Sequence, residues 1–166
     1  MEAKDGKGRT ALRIAAEFGH VEVVEMLARL QGGVNTVGEP GVFDSSPMYA
    51  AAENGHLDVV EALGRLGAKV DSQLKDGRTP ISVAAAKATV VEALGRMRAD
   101  VNLADNAGRT ALFKAAWKGW TKVIEALGLL KAEVNKANNK GVTPLAKARS
   151  EGHLEAVAML ESMGGR

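Results

Sequence analysis

Polar and apolar residues alternate along the chain in pairs of short segments. The pair from Ser46 to Leu66 shows the pattern most clearly. Its first half, Pro47-Met48-Tyr49-Ala50-Ala51-Ala52, is apolar and rich in alanine. Its second half carries Leu57, Val60, Leu63 and Leu66 at helical spacing, with Asp58, Glu61 and Arg65 between them. This predicts a helix, a tight turn, a second amphipathic helix and a loop. Ser46 stands where a helix N-cap belongs, and Pro47 at the first helical position has no amide hydrogen to leave unpaired. The alanines make the first helix thin enough for neighbours to approach closely, and Gly55-His56 marks the sharp turn.

The same unit recurs along the whole chain. Thr10-Ala11-Leu12, Ser46-Pro47-Met48, Thr79-Pro80-Ile81, Thr110-Ala111-Leu112 and Thr143-Pro144-Leu145 begin equivalent first helices, at offsets of 36, 33, 31 and 33 residues. Gly19-His20, Gly55-His56, Gly119-Trp120 and Gly152-His153 mark equivalent turns. Val34-Asn35, Val70-Asp71, Val101-Asn102 and Val134-Asn135 close four of the units. A self-similar period of this length signals a stacked-repeat architecture, because one helix pair cannot bury its own apolar face. The expected division is a single domain over 1–166, with repeats at about 1–35, 36–71, 72–102, 103–135 and 136–166.

With a period near 33 and first helices opening on Thr-Pro-Leu or a close variant, the unit resembles the ankyrin repeat. The resemblance spans essentially the whole chain. It implies an all-α solenoid of helix-turn-helix units joined by β-hairpin-like finger loops, such as Leu74-Lys75-Asp76-Gly77-Arg78, which line a concave face with the first helices. The histidine of the family's T-P-L-H opening is missing: Arg13, Tyr49, Ser82, Phe113 and Ala146 take its slot. In the family that imidazole ties adjacent fingers, so the fingers here are expected to be less rigid. The second leucine of the outer-helix pair is also missing, replaced by Ala28, Gly64, Gly95, Gly128 and Glu161. An apolar residue follows two positions on (Leu30, Leu66, Met97, Leu130, Met163) and is expected to fold back over that gap. Glycine inside a helix costs up to about 1 kcal/mol against alanine, which points to modest stability.

Two length changes break the phase. Three extra residues lie within 38–44 in the second finger, and repeat 3 passes from Ala86-Lys87 to Ala88 without a Gly-His step, which should shorten or distort its inter-helix turn. Lys147 and Arg149 give repeat 5 the polarity of a C-terminal cap. Repeat 1 begins almost at Met1, so its stacking face, including Leu12 and Ile14, should be poorly covered.

Composition narrows the chemistry. Twenty-two Lys and Arg stand against 20 Asp and Glu, a net charge of +2 with no block of one sign, so neither nucleic acid nor a membrane surface is an expected partner. No apolar run approaches the about 20 residues that a membrane span needs. With no cysteine and a polar N-terminus, a cytoplasmic or nuclear protein is expected. His20, His56 and His153 occupy one slot in three separate repeats and cannot converge on a metal, so they read as turn residues bonded to nearby backbone. Gly6-Lys7-Gly8-Arg9-Thr10 lacks the glycine and hydroxyl positions of a phosphate loop and reads as the first finger. Carboxylates such as Asp58 and Glu61 lie on an outer helix face, a solvation pattern. No catalytic residue, metal or cofactor is expected, and the chain is not read as an enzyme.

Family geometry puts the two residues before each turn on the concave side: Glu17-Phe18, Glu53-Asn54, Ala86-Lys87, Trp117-Lys118 and Ser150-Glu151. These vary in size and charge, as partner-specific surface would. Aromatic and Arg side chains dominate binding hot spots, so Trp117 leads the candidate contacts, with Lys118 beside it and Arg109, Arg78, Arg9 and Lys140 on fingers. Glu17, Phe18, Glu53, Asn54 and Lys87 complete the set. Trp117 has a competing role, covering packing lost in the shortened repeat 3. Phe113 and Tyr49 read as core substitutes for the missing histidine. The functional expectation is a non-catalytic scaffold binding a partner protein through its concave groove. The alternative is a structural or self-associating segment of a longer array. A monomer is expected, with self-association through repeat 1 as the other outcome.

Overall fold

The computed structural model describes residues 4–6, 8–31, 34–35, 45–84 and 86–166. The three-residue excess within 38–44, Phe43 in it, Lys7 of the first finger and Ala85 of the third alanine run lie outside the described residues. Ten helices follow one another: α1 (Ala11–Glu17), α2 (Val21–Gln31), α3 (Pro47–Asn54), α4 (Leu57–Arg65), α5 (Pro80–Val83), α6 (Ala88–Arg96), α7 (Ala111–Lys118), α8 (Thr121–Leu129), α9 (Pro144–Ser150) and α10 (Leu154–Ser162). They form five antiparallel hairpins. The odd-numbered inner helices stack on one another, as do the even-numbered outer helices, giving a two-layer all-α solenoid. Among the described residues the only β pairing is an isolated bridge between Lys4 and Thr10.

Each inner helix starts as its sequence predicts. Thr10, Ser46, Thr79, Thr110 and Thr143 are extended N-caps whose hydroxyls accept the amide three residues on. Small residues then let the layers close. Ala16, Ala51, Ala52, Ala116 and Ala148 are fully buried beside Leu12, Met48, Leu112 and Leu145 of the inner helices and Leu63, Leu94, Leu127 and Leu160 of the outer ones. Leu12 has no exposed surface and joins the core, so the expectation that the repeat 1 face leaves it uncovered is corrected, while Ile14 of the same face is half-buried.

Four kinds of side-chain coupling join successive repeats, and the outer-loop one occurs at all four junctions. At the inner turn, His56 Nε2 donates to the Glu17 carbonyl and His153 Nε2 to the Trp117 carbonyl, both at 2.9 Å, so each ring caps the inner helix of the repeat before it. Gly19 and Gly119 have φ of +78° and +68°, and an added Cβ would stand 2.7 and 2.8 Å from those rings. At the outer loop, the Asn or Asp of the closing pair accepts an amide from the next repeat. Asn35 receives Lys69 at 2.6 Å, Asp71 receives Asp100 at 3.1 Å, Asn102 receives Glu133 at 2.8 Å and Asn135 receives Arg166 at 2.8 Å.

The third coupling corrects the expected back-folding. A Cβ on Gly64 would meet Met97 Sδ at 2.6 Å, one on Gly95 would meet Leu130 Cδ1 at 2.5 Å, and one on Gly128 would meet Met163 Cε at 2.6 Å. The apolar residue thus fills the gap of the preceding repeat, not of its own. The fourth corrects the expected loss of finger rigidity. Asn106 donates its amide to the Asp76 carbonyl at 2.9 Å and its Nδ2 to the Lys75 carbonyl at 2.9 Å. Asn139 does the same to Ala107 and Asn106, at 3.0 and 2.9 Å. Nearer the N-terminus, Arg13 Nε donates to Ser45 Oγ at 2.9 Å and the Ser46 and Ser72 hydroxyls share a 2.6 Å bond.

Repeat 3 departs from the pattern in its helix. α5 spans four residues where the other inner helices span seven or eight. Ala86, at φ +56°, takes the left-handed turn position that glycine holds elsewhere, and Lys87 takes the histidine slot. The turn is therefore retained, and the two missing residues come out of the end of the helix.

Gly95→Ala ought to gain helix stability through propensity, yet its methyl collides with Leu130. A double-mutant cycle by urea unfolding should show no gain, or a loss, in the parent chain and a gain of about 1 kcal/mol in a Leu130→Ala background. Equal effects in both backgrounds would dissociate Leu130 from the gap.

Candidate functional site

The fingers set the rim of the concave face. In repeats 1, 3, 4 and 5 a backbone ladder closes the tip: Asp5 with Arg9, Leu74 with Arg78, Asp105 with Arg109, and Asn138 with Val142, at 2.9 to 3.0 Å. A glycine of positive φ sits at each tip, at Gly8, Gly77, Gly108 and Gly141. Asp105 secures the fourth finger. Its carboxylate, 1% exposed, accepts the Ala107 and Arg109 amides at 3.0 and 2.9 Å, Arg109 Nε at 2.9 Å and Lys114 Nζ at 3.2 Å. Burial alone would raise its pKa. The Arg109 amide and the Lys114 ammonium outweigh that effect and hold the carboxyl below the usual range. Lys114, mostly buried, has its own pKa lowered by desolvation despite Asp105.

Trp117 stands half-buried on α7, one turn beyond Lys114. Three cations surround its ring: Lys147 Nζ at 4.7 Å from the ring centre, Lys118 Nζ at 5.5 Å and Arg109 Cζ at 6.0 Å. On one side a hollow of about 450 Å³ opens between fingers 4 and 5, lined by Arg109, Phe113, Trp117, Lys140, Val142 and Lys147 among others. On the other side, a hollow of about 180 Å³ is bounded by Ser82 and Val83 of α5, together with Arg109, Lys114, Trp117, Lys118 and Trp120. The smaller hollow borders the end of the shortened helix. Trp117 therefore flanks the space that repeat 3 leaves and also walls the larger hollow, so its two sequence readings meet at one place.

The structure thus brings Trp117, Lys118, Arg109 and Lys140 together. The remaining sequence candidates lie elsewhere. Arg78 sits 5.8 Å from the Tyr49 ring centre and bonds to Asp76. Glu17 pairs with Arg13 at 2.7 Å and with Arg9 at 3.2 Å, within repeat 1. Phe18 is 60% exposed and stacks on His20 at 6.4 Å. Glu53 is exposed, and the exposed Asn54 folds its Nδ2 back to the Ala50 carbonyl at 2.9 Å. Lys87 is exposed and stands at the inter-helix turn, its stem running across Gly55, because the deletion removed the two helical positions that would precede that turn. Tyr49 and Phe113 are both 2% exposed, as core substitutes should be.

Lys114 and Lys147 were missed as members of the site. They share the slot of Ile14, Ala50 and Val83, and the change from apolar to Lys in the last two copies was the available signal. Lys147 also pairs with Glu151, whose carboxyl that hydrogen bond holds below its usual range. No group of three or more His, Asp or Glu side chains able to hold a metal occurs among the described residues. No helix among them is long and apolar enough to cross a membrane.

Stacked helical hairpins with cross-linked fingers define a helical-repeat scaffold. The family model for ankyrin repeats (three copies) matches residues 1–73, 47–136 and 84–164, and the chain belongs to that family. No curated protein matches the chain.

Removing the carboxylate of Asp105 strands two cations at the finger base. Asp105→Asn should lower unfolding free energy at neutral pH by about 3 kcal/mol. Because its folded pKa is depressed, that contribution is complete above the unfolded value near about 3.9 and is lost as pH falls through the folded value. Urea titrations of the two chains should therefore converge in acid. A constant difference down to about pH 2 would reject the assignment.

Proposed function

We propose that the chain is a non-catalytic scaffold whose concave groove binds another protein, with Trp117 at the centre of the contact. Ankyrin repeats generally mediate protein–protein interaction, and that family membership supports the class of work. The observation that carries the site is the half-exposed Trp117 between two hollows, ringed by cations. An aromatic plane held at the middle of a preformed surface gives contact area at little entropic cost. Five hairpins stacked in series support reading 1–166 as one binding unit.

Trp117→Ala should weaken a real partner by about 2 kcal/mol or more. The measurement is capture from native lysate followed by titration of the purified partner, with Glu92→Ala on the outer helix as a control. Arg109 is left intact, since it is bonded to Asp105 and its loss would disturb the finger. An unchanged affinity in the folded Trp117→Ala chain would remove this residue from the site.

One observation favours the second reading, self-association through repeat 1. Val23, Met26 and Leu30 lie along one face of α2 and are 44, 60 and 76% exposed, whereas their equivalents Val59 and Ala62 are buried. Leu30 stands in the slot of the gap-filling Met97, Leu130 and Met163 and is exposed. At the other end Glu161, paired with Arg149, takes the place of the gap-forming glycine, which disfavours head-to-tail stacking and leaves face-to-face pairing of two copies. Light scattering should then show a dimer at high concentration that Leu30→Glu abolishes. A monomer throughout would eliminate this reading.

A further inference from the structure

Resting on the groove-binding reading above, we infer that repeats 4 and 5 select an acidic segment of the partner, in which one apolar or aromatic side chain is flanked on both sides by carboxylates. The larger hollow offers the seat. Phe113, Trp117 and Val142 give it apolar walls, and about 450 Å³ is ample for one large side chain. The cations are arranged around that seat. Lys140 and Lys147 line the hollow between fingers 4 and 5, while Lys114 and Lys118 line the hollow on the far side of the Trp117 ring, and Arg109 borders both.

Local charge is not balanced. Five cations, Arg109, Lys114, Lys118, Lys140 and Lys147, line these hollows beside two carboxylates, those of Asp105 and Glu151, while the further carboxylate that acts on Lys114, Asp76, is bonded to Arg78. Both carboxylates are engaged already: Asp105 with Arg109 and Lys114, Glu151 with Lys147. Lys118 and Lys140 make no ion pair within 4 Å among the described residues, though the Glu151 charge acts on Lys118, and both are exposed, one on each side of Trp117. The whole chain carries only +2, so this surplus is a local concentration. A partner that covers the ring with an apolar group must also desolvate ammonium groups 4.7 and 5.5 Å from it. Carboxylates beside that apolar group offset the desolvation and steer the approach.

Elsewhere along the groove the named charges are balanced. Glu17 is balanced by Arg9 and Arg13, Arg78 is bonded to Asp76, and Glu53 is exposed. A long polyanion laid along the groove would find its surplus of cations only at repeats 4 and 5, which is the length a short acidic segment covers. This favours a peptide over nucleic acid.

The test is selection of a displayed random peptide library against the full chain. Synthetic versions of the selected peptides are then titrated by calorimetry against the parent chain, Trp117→Ala and the Lys118→Glu, Lys140→Glu double variant. Circular dichroism would confirm that both variants fold. Selected peptides are expected to place Asp or Glu on both sides of an apolar residue. Their affinity should fall about thirtyfold in Trp117→Ala, fall about tenfold in the double variant and weaken with added salt. Peptides with Lys in place of the acids should bind the double variant better than the parent. Peptides that need Trp117 but show no acidic enrichment would overturn this inference and leave the groove reading standing. No selected peptide, or peptides indifferent to Trp117, would overturn both. A duplex oligonucleotide binding as tightly through the same lysines would replace the acidic-peptide inference with a nucleic-acid one.

Discussion

The contact between one repeat and the next is the constraint on which this structure depends. A hairpin of two helices with an alanine-rich inner face has too little apolar surface to fold alone, so stability has to come from its neighbours. Here the contact is specified at several heights. His56 and His153 tie inner helix ends, the Asn35-Asp71-Asn102-Asn135 series ties outer loops, and Asn106 with Asn139 ties finger tips. Between these, Met97, Leu130 and Met163 enter the spaces that Gly64, Gly95 and Gly128 leave. Those glycines weaken each helix by itself. They also let the next repeat approach closely, so intrinsic helix propensity is exchanged for inter-repeat packing.

The periodic part of the fold was legible because it repeats. Thr10, Ser46, Thr79, Thr110 and Thr143 recur before alanine-rich stretches, and all five are caps. Periodicity also hides one kind of information. Leu130 could fill a gap at Gly128 or at Gly95, because both glycines stand in the same slot of successive units, and only the three-dimensional stacking decides. The deletion in repeat 3 was ambiguous for a related reason. Aligning by residue type puts the loss at the missing Gly-His step, but a sharp turn is required wherever an outer helix returns, so Ala86 accepts the left-handed conformation and the helix shortens. Finger cohesion was misjudged because the missing histidine was the expected tie, while Asn106 and Asn139 do the linking with backbone groups.

The candidate site was legible in its centre and not in its surroundings. Trp117 stood out because tryptophan is rare in this chain and its slot varies from copy to copy. Lys114 and Lys147 did not stand out, since they occupy an inner-helix slot that is apolar in three earlier copies. One turn along a helix puts that slot beside the Trp117 position, and stacking puts Lys147 of the next repeat over the ring. A residue three positions away and another a whole repeat away thus converge on one aromatic side chain, which linear spacing alone does not reveal.

The same irregularity that breaks the repeat also shapes the surface. Loss of the last turn of α5 leaves Ser82 and Val83 as one wall of a hollow whose other walls include Trp117 and Trp120. Had α5 been as long as its neighbours, its extra residues would have extended toward that space. Yet the rim beside it is not loosened: Lys114 Nζ reaches both Ser82 Oγ at 3.3 Å and Asp105 Oδ2 at 3.2 Å, and the adjoining fingers are bonded tip to tip. Binding surfaces benefit from this combination, because an opening supplies room while cross-linked edges limit the ordering that a partner must impose. In this chain the departure from periodicity and the best-tied fingers fall in adjacent repeats, and Trp117 lies where they meet.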